Sequence, residues 1–352
     1  MDYLQQLEHK KNDLKNKLNN DPLPIEVKTA GSARLRQRFD FTMEKTENGH
    51  VFGLYGGEVN RADQTNLELI DLSTCFQLTP DLNSAFQWLR QLSWPDFIQK
   101  GSVRLRTAPS GQWGIWLDFS NQDIKSLLLE KNFLLKLSEK FIIEIGQKKK
   151  RLDLESQHTE QLKLTDPQPE VWFSSLGQPL KCAISSFTQP ASQTADLLTE
   201  TILNWLNRLN SQKSLIVEYG CGIGQFTMPL LAASHSVQVF ETDTFALECL
   251  KLNVKNLELK KNTSQNILMI NQPIKKETII ALVNPPRSGL KDFAETLLQN
   301  KPQAIIYVSC FPETMAVDIE KLSAFYKIKD VVLVDQFPQT THYESCVLLV
   351  KN

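Results

Sequence analysis

Strand-like run AIIYVS ends at Ser309-Cys310, and Phe311-Pro312 then opens a stretch with helical character. A thiol at the end of a strand and just ahead of a helix N-terminus sits where the helix dipole favours the thiolate. Cys310 is therefore either a nucleophile or one more thiol of an apolar core. Glu344 opens the last apolar stretch, ESCVLLV, and shares a face with Cys346, Leu348 and Val350. An acid in that place is a strand-end cap in water or a partly desolvated base. Desolvation raises a carboxyl pKa towards neutrality, where a base works best. The run IIALV leads into Asn284-Pro285-Pro286-Arg287-Ser288-Gly289. Two prolines stiffen that turn and remove donors, which holds the Asn284 amide outward. An aromatic residue after the prolines would suit methylation of an exocyclic amine by stacking on the base; Arg287 stands there instead.

A second constellation is EYGCGIGQF, Glu218 to Phe226. Gly220, Gly222 and Gly224 let the backbone pass close to a ligand at a helix N-terminus. The dinucleotide pattern G-x-G-x-x-G fails, because Gln225 or Thr227 occupies its last position. Glu241 ends the next strand, where an acid can bind both ribose hydroxyls of an adenosine. Glu218, the glycines and Glu241 together have the arrangement of an S-adenosylmethionine (SAM) site. Without a ligand, the same glycines make only a tight strand-to-helix turn.

These residues need a scaffold. From about Leu180, strands SLIVEYG, SVQVFE, NILMI, IIALV, AIIYVS and KDVVLVDQF alternate with helical stretches. That alternation predicts a doubly wound, mostly parallel sheet. The last strand follows after only PQTTH, too short for a parallel crossover, so it runs antiparallel. Upstream, residues 1–20 read as one amphipathic helix, and residues 30–119 as β-rich with a hairpin at Pro109-Ser110-Gly111. A helix near TPDLNSAFQWLRQL is capped by Thr79 or Asp81, and residues 122–146 supply another. The polar stretch Gln147 to Gln168 separates the halves. The expected domains are an N-terminal helix over 1–25, a smaller α+β domain over 26–175 and the Rossmann-like α/β domain over 176–352.

Bulk composition excludes more than it identifies. Lys+Arg is 39 and Asp+Glu is 40, so any nucleic-acid site is a local patch. No apolar run reaches a membrane span, and the polar start is unlike a signal peptide; a cytoplasmic protein with no membrane partner is expected. Six cysteines without a C-x-x-C pair and five scattered histidines give no metal site.

Taken in order, SFTQ (Ser186–Gln189), EYGCGIGQF, FETD, NPPRSG, YVSCFPETMAVDI and DQFPQTTHYES resemble the signatures of the RNA (uracil-C5)-methyltransferases. The resemblance is dense from Leu180 to Asn352 and thin upstream, where ARLRQRFDF is similar to the family's basic strand. It implies SAM-dependent formation of 5-methyluridine in RNA. Cys310 would be the nucleophile that adds to uracil C6, and Glu344 the base that removes the C5 proton. Gln189, Glu241 and Asn284 match positions that touch cofactor or target base, and the first glycines line the methionine end. Arg287 would contact a phosphate or brace its loop, and Phe187 would pack at the same mouth.

Arg34, Arg36 and Arg38, at period two, fall on one strand face suited to phosphates. Arg104 and Arg106 offer a second pair, and Lys148–Arg151 a basic run. The resemblance implies a target base extruded from its stack.

Some positions depart from the family pattern. Phe311 stands where Asn is usual after the nucleophile, and Asn284 where many members have Asp. Asn271 or Gln272 replaces an acid after the third strand. With no β-barrel domain preceding the central one, the chain resembles the compact subgroup acting on 23S ribosomal RNA, and a monomer is expected. Many relatives hold an iron–sulfur cluster on four cysteines. Here Cys75 is the lone counterpart, so no cluster is expected; Cys75 reads as a buried core residue, with Trp88, Trp94, Trp113 and Trp116 filling the region. Three rivals stay open: an RNA-binding module of this descent with little activity, a tRNA enzyme of the same chemistry, and an amine or small-molecule methyltransferase, which would not need Cys310.

Overall fold

A computed structural model describes residues 2–19, 23–56, 68–119, 124–147, 150–156, 162–211, 214–261, 267–269 and 279–352. The first half carries α1 (Tyr3–Lys17), β1 (Ile25–Thr29), β2 (Arg38–Thr46), β3 (Gly49–Gly56), β4 (Glu68–Asp71), α2 (Pro80–Arg90), β5 (Lys100–Thr107), β6 (Trp113–Asp118), α3 (Ile124–Leu129), α4 (Lys131–Ser138), β7 (Phe141–Gln147), β8 (Lys150–Ser156) and β9 (Leu162–Thr165). The hairpin β10 (Glu170–Ser175) and β11 (Gln178–Cys182) follows. The rest comprises α5 (Ser192–Arg208), β12 (Leu215–Tyr219), α6 (Thr227–Ala232), β13 (Ser236–Phe240), α7 (Thr244–Lys261), β14 (Ile267–Met269), β15 (Ile279–Val283), α8 (Phe293–Asn300), β16 (Ala304–Ser309), α9 (Pro312–Leu322), β17 (Tyr326–Asp335) and β18 (Glu344–Lys351).

Two compact units result. The first gathers Met1–Ala33, Ser174–Lys181 and Ala191–Asn352; the second gathers Arg34–Phe173 and Cys182–Pro190. This differs from a division at residues 25 and 175, and pairing is the reason. Strand β1, which the sequence reading missed, lies parallel to β17 at the edge of the first unit's sheet, with Ile25 opposite Val331 and Thr29 opposite Asp335. Helix α1 belongs to the same unit, where Leu14 joins a core with Tyr307, Met315, Leu333 and Val347.

That sheet has the order β1-β17-β18-β16-β15-β12-β13-β14. All pairs are parallel except those made by β18, which runs antiparallel to both neighbours. Every residue of AIIYVS in β16 is buried, as expected of a central strand covered on both faces. The reversal of β18 has a local consequence. It brings the first residue of β18, Glu344, to the carboxyl end of β16, where open α/β sheets bind ligands.

The second unit is a mixed sheet of order β4-β3-β2-β5-β6-β7-β8-β9, with β6 and β7 the parallel pair. Its core includes Phe41, Phe52, Phe86, Leu89, Trp94 and Leu105, and Phe41 stacks on Phe86 at 4.2 Å. Trp88 and Trp113 pack against it half-buried, as does Cys75. Thr79 caps α2 by accepting from the Leu82 amide, as expected. Two expectations fail here. Residues 122–146 are not one helix: Phe141, Ile143 and Ile145 alternate onto the core and make β7 a strand. The polar stretch after Gln147 is no plain linker either, since it carries β8 and β9. Lys148, Lys149, Asn271 and Gln272 lie outside the described residues.

Candidate active site

The glycine loop leaves β12 with positive φ at Gly220 (75°), Gly222 (55°) and Gly224 (97°). Gly220 has a second constraint. A Cβ there would stand 2.9 Å from the Asn284 carbonyl oxygen, so the loop and the turn after β15 touch only because the side chain is absent. The same two segments are joined by the Asn284 amide donating to the Tyr219 carbonyl (3.2 Å). Glu241 closes the loop from the next strand: one carboxylate oxygen accepts from the Gly222 amide (2.8 Å), the other from the amides of Thr242 and Asp243.

Glu218 is buried beneath this loop. One oxygen accepts from the Thr227 hydroxyl (2.6 Å), and the other has no partner. Burial pushes its pKa up to about 8, against the Thr227 bond, with Glu241 adding to the rise. Around Gly222 a Cβ would meet nothing within 4 Å, so the loop faces open space. Backbone close to that space, a half-buried acid at the end of β13 and an unpaired buried oxygen beneath fit a cationic, ribose-bearing ligand such as SAM.

The ladder between β16 and β18 runs from Ala304 opposite Val350 to Ser309 opposite Ser345. One residue further on, Cys310 and Glu344 stand at the same edge. Cys310 is half-buried and Glu344 only 3% exposed. Burial raises the Cys310 pKa and the Glu344 charge raises it further; the Arg287 guanidinium, hydrogen-bonded to the sulfur, works the other way. Burial likewise lifts Glu344 to about 8, and Arg287 opposes this too. Glu344 Oε1 accepts from Gln336 Nε2 (3.2 Å), whereas Oε2 is buried without a partner. Thiol, carboxyl and guanidinium thus form one coupled group.

The turn that carries Arg287 is fixed from beneath. Asp318 of α9 accepts from the Leu290 amide (2.7 Å) and the Tyr307 hydroxyl (2.8 Å), and Thr314 donates to the Arg287 carbonyl (3.0 Å). Phe311 is the N-cap of α9, with its amide donating to Ser309 Oγ (3.0 Å). The first unit therefore brings together Glu218, Gly220, Gly222, Gly224, Glu241, Asn284, Arg287, Cys310 and Glu344. Gln189 lies in the second unit and is buried.

The arginine stripe is not a strand face. Strand β2 begins only at Arg38, and Arg34 has a left-handed φ of 59°. Arg38 is buried and donates to the Thr188 carbonyl (2.6 Å); Arg36 is half-buried and stacks on Phe39. Arg106, also buried, donates to the Ala183 and Ser186 carbonyls and to Thr188 Oγ1, while Arg104 binds Asp40 and the Ser185 carbonyl. Arg38, Arg104 and Arg106 therefore hold the segment Cys182–Pro190 by its backbone oxygens. Glu144 takes the amides of Ile184 and Ser185 from the other side (2.7 and 2.8 Å). Of the three predicted phosphate contacts, Arg34 alone is exposed.

Sequence reasoning missed Thr227, Asp318 and Gln336. Thr227 was visible as the ninth residue after Glu218, on the helix that follows the loop. Asp318 and Gln336 lie inside the motifs YVSCFPETMAVDI and DQFPQTTHYES, but their contacts depend on pairing across the fold and cannot be read from the chain.

Comparison with known proteins places the chain among methyltransferases. Residues 273–352 match the family model described as tRNA (Uracil-5-)-methyltransferase, and residues 191–304 match the methyltransferase small domain. The chain is 36% identical over 345 residues to an uncharacterized RNA methyltransferase of Bdellovibrio bacteriovorus, covering 93% of this chain and 84% of that one. It is 27% identical to the 23S rRNA (uracil(1939)-C(5))-methyltransferase RlmD of Haemophilus influenzae, over 94% of this chain and 73% of the relative. The 23S rRNA (uracil(747)-C(5))-methyltransferase RlmC of Xenorhabdus nematophila is 35% identical over 49% of this chain, which spans about half (46%) of that relative. Among solved structures, the Pyrococcus abyssi tRNA (uracil-54, C5)-methyltransferase in complex with S-adenosyl-L-homocysteine shares the fold. Its TM-score is 0.69 at 20% identity, over 99% of this chain and 84% of that one.

Proposed function

The chain belongs to the RNA (uracil-C5)-methyltransferase family, and we propose that it methylates C5 of a uridine in 23S ribosomal RNA by covalent catalysis through Cys310 and Glu344. The observation that carries the mechanism is the grouping of one thiol, one buried carboxyl and one guanidinium at the carboxyl end of β16.

Uracil C5 is too weak a nucleophile to accept a methyl group directly. Addition of the Cys310 thiolate to C6 makes C5 an enolate carbon. Arg287 favours that thiolate against the burial that opposes it. Bound SAM supplies the electrophilic methyl group. Glu218, Glu241 and the loop Gly220–Gly224 would hold it, with Asn284 at the contact between loop and turn. Once C5 carries the methyl group, Glu344 removes the remaining C5 proton. The C6–S bond then breaks, the C5–C6 double bond returns, and the sulfur leaves as thiolate. A carboxyl lifted to about 8 suits proton removal near neutral pH.

The relatives named for 23S rRNA favour ribosomal RNA as the target, and the two matches to tRNA (uracil-C5) enzymes favour tRNA as the second reading. Exposed Arg34 is a candidate phosphate contact. Incubation with SAM and separately purified, unmodified ribosomal and transfer RNA, followed by mass mapping of 5-methyluridine, tests the target. The expected product lies in 23S RNA; methyl transfer to neither RNA overturns the reading.

A further inference from the structure

We propose that Gln336 is the positioning residue that decides which oxygen of Glu344 takes the C5 proton, and that Thr194 holds Gln336 in the orientation this requires. The inference rests on the covalent mechanism above and adds to it a residue from the connection between β17 and β18.

The geometry is a relay of three buried side chains from three places in the first unit. Thr194 is in the first turn of α5, Gln336 directly follows β17, and Glu344 opens β18. Thr194 Oγ1 lies 3.0 Å from Gln336 Oε1 and 3.1 Å from the Ala191 carbonyl oxygen, so its proton serves two acceptors. Gln336 Oε1 is thereby turned to Thr194 and Nε2 to the carboxyl, where it donates to Glu344 Oε1 (3.2 Å). An amide nitrogen donates and cannot accept. Glu344 Oε1 is therefore an acceptor in both protonation states, and a proton on Glu344 resides on Oε2. Oε2 is the oxygen that is buried and has no partner. The relay thus leaves one defined oxygen to receive the substrate's proton.

The same bond tunes the base. Arg287, from the turn after β15, favours ionised Glu344. Cys310 at the end of β16 and Cys346 on β18 face it as thiols whose own ionisation it disfavours. Thr194 brings no charge. The Gln336 N–H is therefore the donor that, with Arg287, offsets desolvation of the carboxylate. Without it, a smaller fraction of Glu344 is ionised at neutral pH, and proton removal slows while thiolate addition does not.

The test is single-turnover kinetics of the full chain with SAM and a uridine-containing RNA substrate between pH 6 and 9. Formation and release of the covalent complex are followed separately. For Gln336→Met, similar in shape but without the amide, the pH midpoint of release should rise by about one unit, and release at pH 7 should slow roughly tenfold. Complex formation and SAM affinity should match the parent. Thr194→Val should shift the midpoint the same way by less. A parent-like release midpoint in Gln336→Met overturns the proposal. If that variant no longer binds SAM, Thr194→Val decides, and an unshifted midpoint there overturns it. A parent chain that forms no covalent complex removes the covalent mechanism, and this inference with it. A parent that forms the complex beside an unaffected Gln336→Met removes this inference alone.

Discussion

In the proposed mechanism Cys310 and Glu344 divide one reaction between them, and their substitutions should separate. Cys310→Ala is expected to abolish methyl transfer and the adduct formed with RNA containing 5-fluorouridine. That analogue traps the complex because fluorine replaces the proton the base removes. Turnover by Cys310→Ala at the parent rate would exclude the thiol as nucleophile. Glu344→Gln should still form the covalent complex with ordinary RNA but release it at least a hundredfold more slowly, within the range a positioned base contributes. A gel shift resistant to denaturant reads both outcomes. Loss of complex formation in Glu344→Gln would make the residue structural. Phe311, where the resemblance leads one to expect Asn, is the N-cap of α9, and its amide donates to Ser309 Oγ.

At the scale of elements, helix α1 is docked beside the β17–β18 connection through one buried ion pair. Lys10 Nζ contacts Asp335 Oδ1 at 2.7 Å, with both side chains shielded from water, and also donates to the Phe337 carbonyl (3.0 Å). Tyr3 donates to the other Asp335 oxygen (2.7 Å), and Tyr343 to Asp13 (2.7 Å). These bonds tie α1 to both ends of the β17–β18 connection that leads to Glu344. Lys10→Met leaves a buried carboxylate without its cation and should cost about 3–5 kcal/mol of stability, measured by chemical denaturation. Loss of less than about 1 kcal/mol would mean that the pair is replaceable by packing.

The sequence made α1 legible through its leucines, and β15, β16 and β18 through apolar runs, but not this docking. Lys10 reads as one more charge on a polar face, and β1 is too short and polar to announce an edge strand. The placement of Cys310, Glu344 and the glycine loop at strand ends was legible, because apolar runs and the breaks after them mark where strands stop. The buried arginines, Arg38 and Arg106, were misread for a physical reason. Alternating basic residues look alike whether they meet phosphates or backbone carbonyls, and burial alone distinguishes them. Arg38→Ala should therefore lower the stability of the second unit by more than about 1 kcal/mol, because the Thr188 carbonyl loses its donor. A change confined to the salt dependence of RNA binding would restore the phosphate reading.

The whole molecule carries a pH dependence that follows from its buried groups. Glu218 and Glu344 are each lifted to about 8 by burial, so the native state keeps two protons that the unfolded chain releases above about pH 4.5. Unfolding then releases protons, and stability falls as pH rises through the native values. His235 acts in the opposite sense. It is buried, its ring nitrogens have no partner, and burial lowers its pKa below the usual 6.5. The native state resists its protonation, so its contribution to stability falls as pH drops below about 6.5. The two effects oppose each other in mild acid and separate above it. From about pH 6.5 upward the unfolded histidine loses its remaining half charge, a small change beside the two carboxyls, which dominate up to about pH 8. The thermal midpoint of the ligand-free chain should therefore fall across that window by on the order of 5 °C. Glu218→Gln keeps an oxygen for the Thr227 hydroxyl but cannot ionise, so it should remove about half of the fall and melt above the parent already at about pH 6.5, because its unfolded state gains nothing by ionising. Scanning calorimetry of both chains at pH 6.5 and 8 measures this. Parallel midpoints in parent and variant would mean that Glu218 is already ionised in the native state, with water reaching its second oxygen.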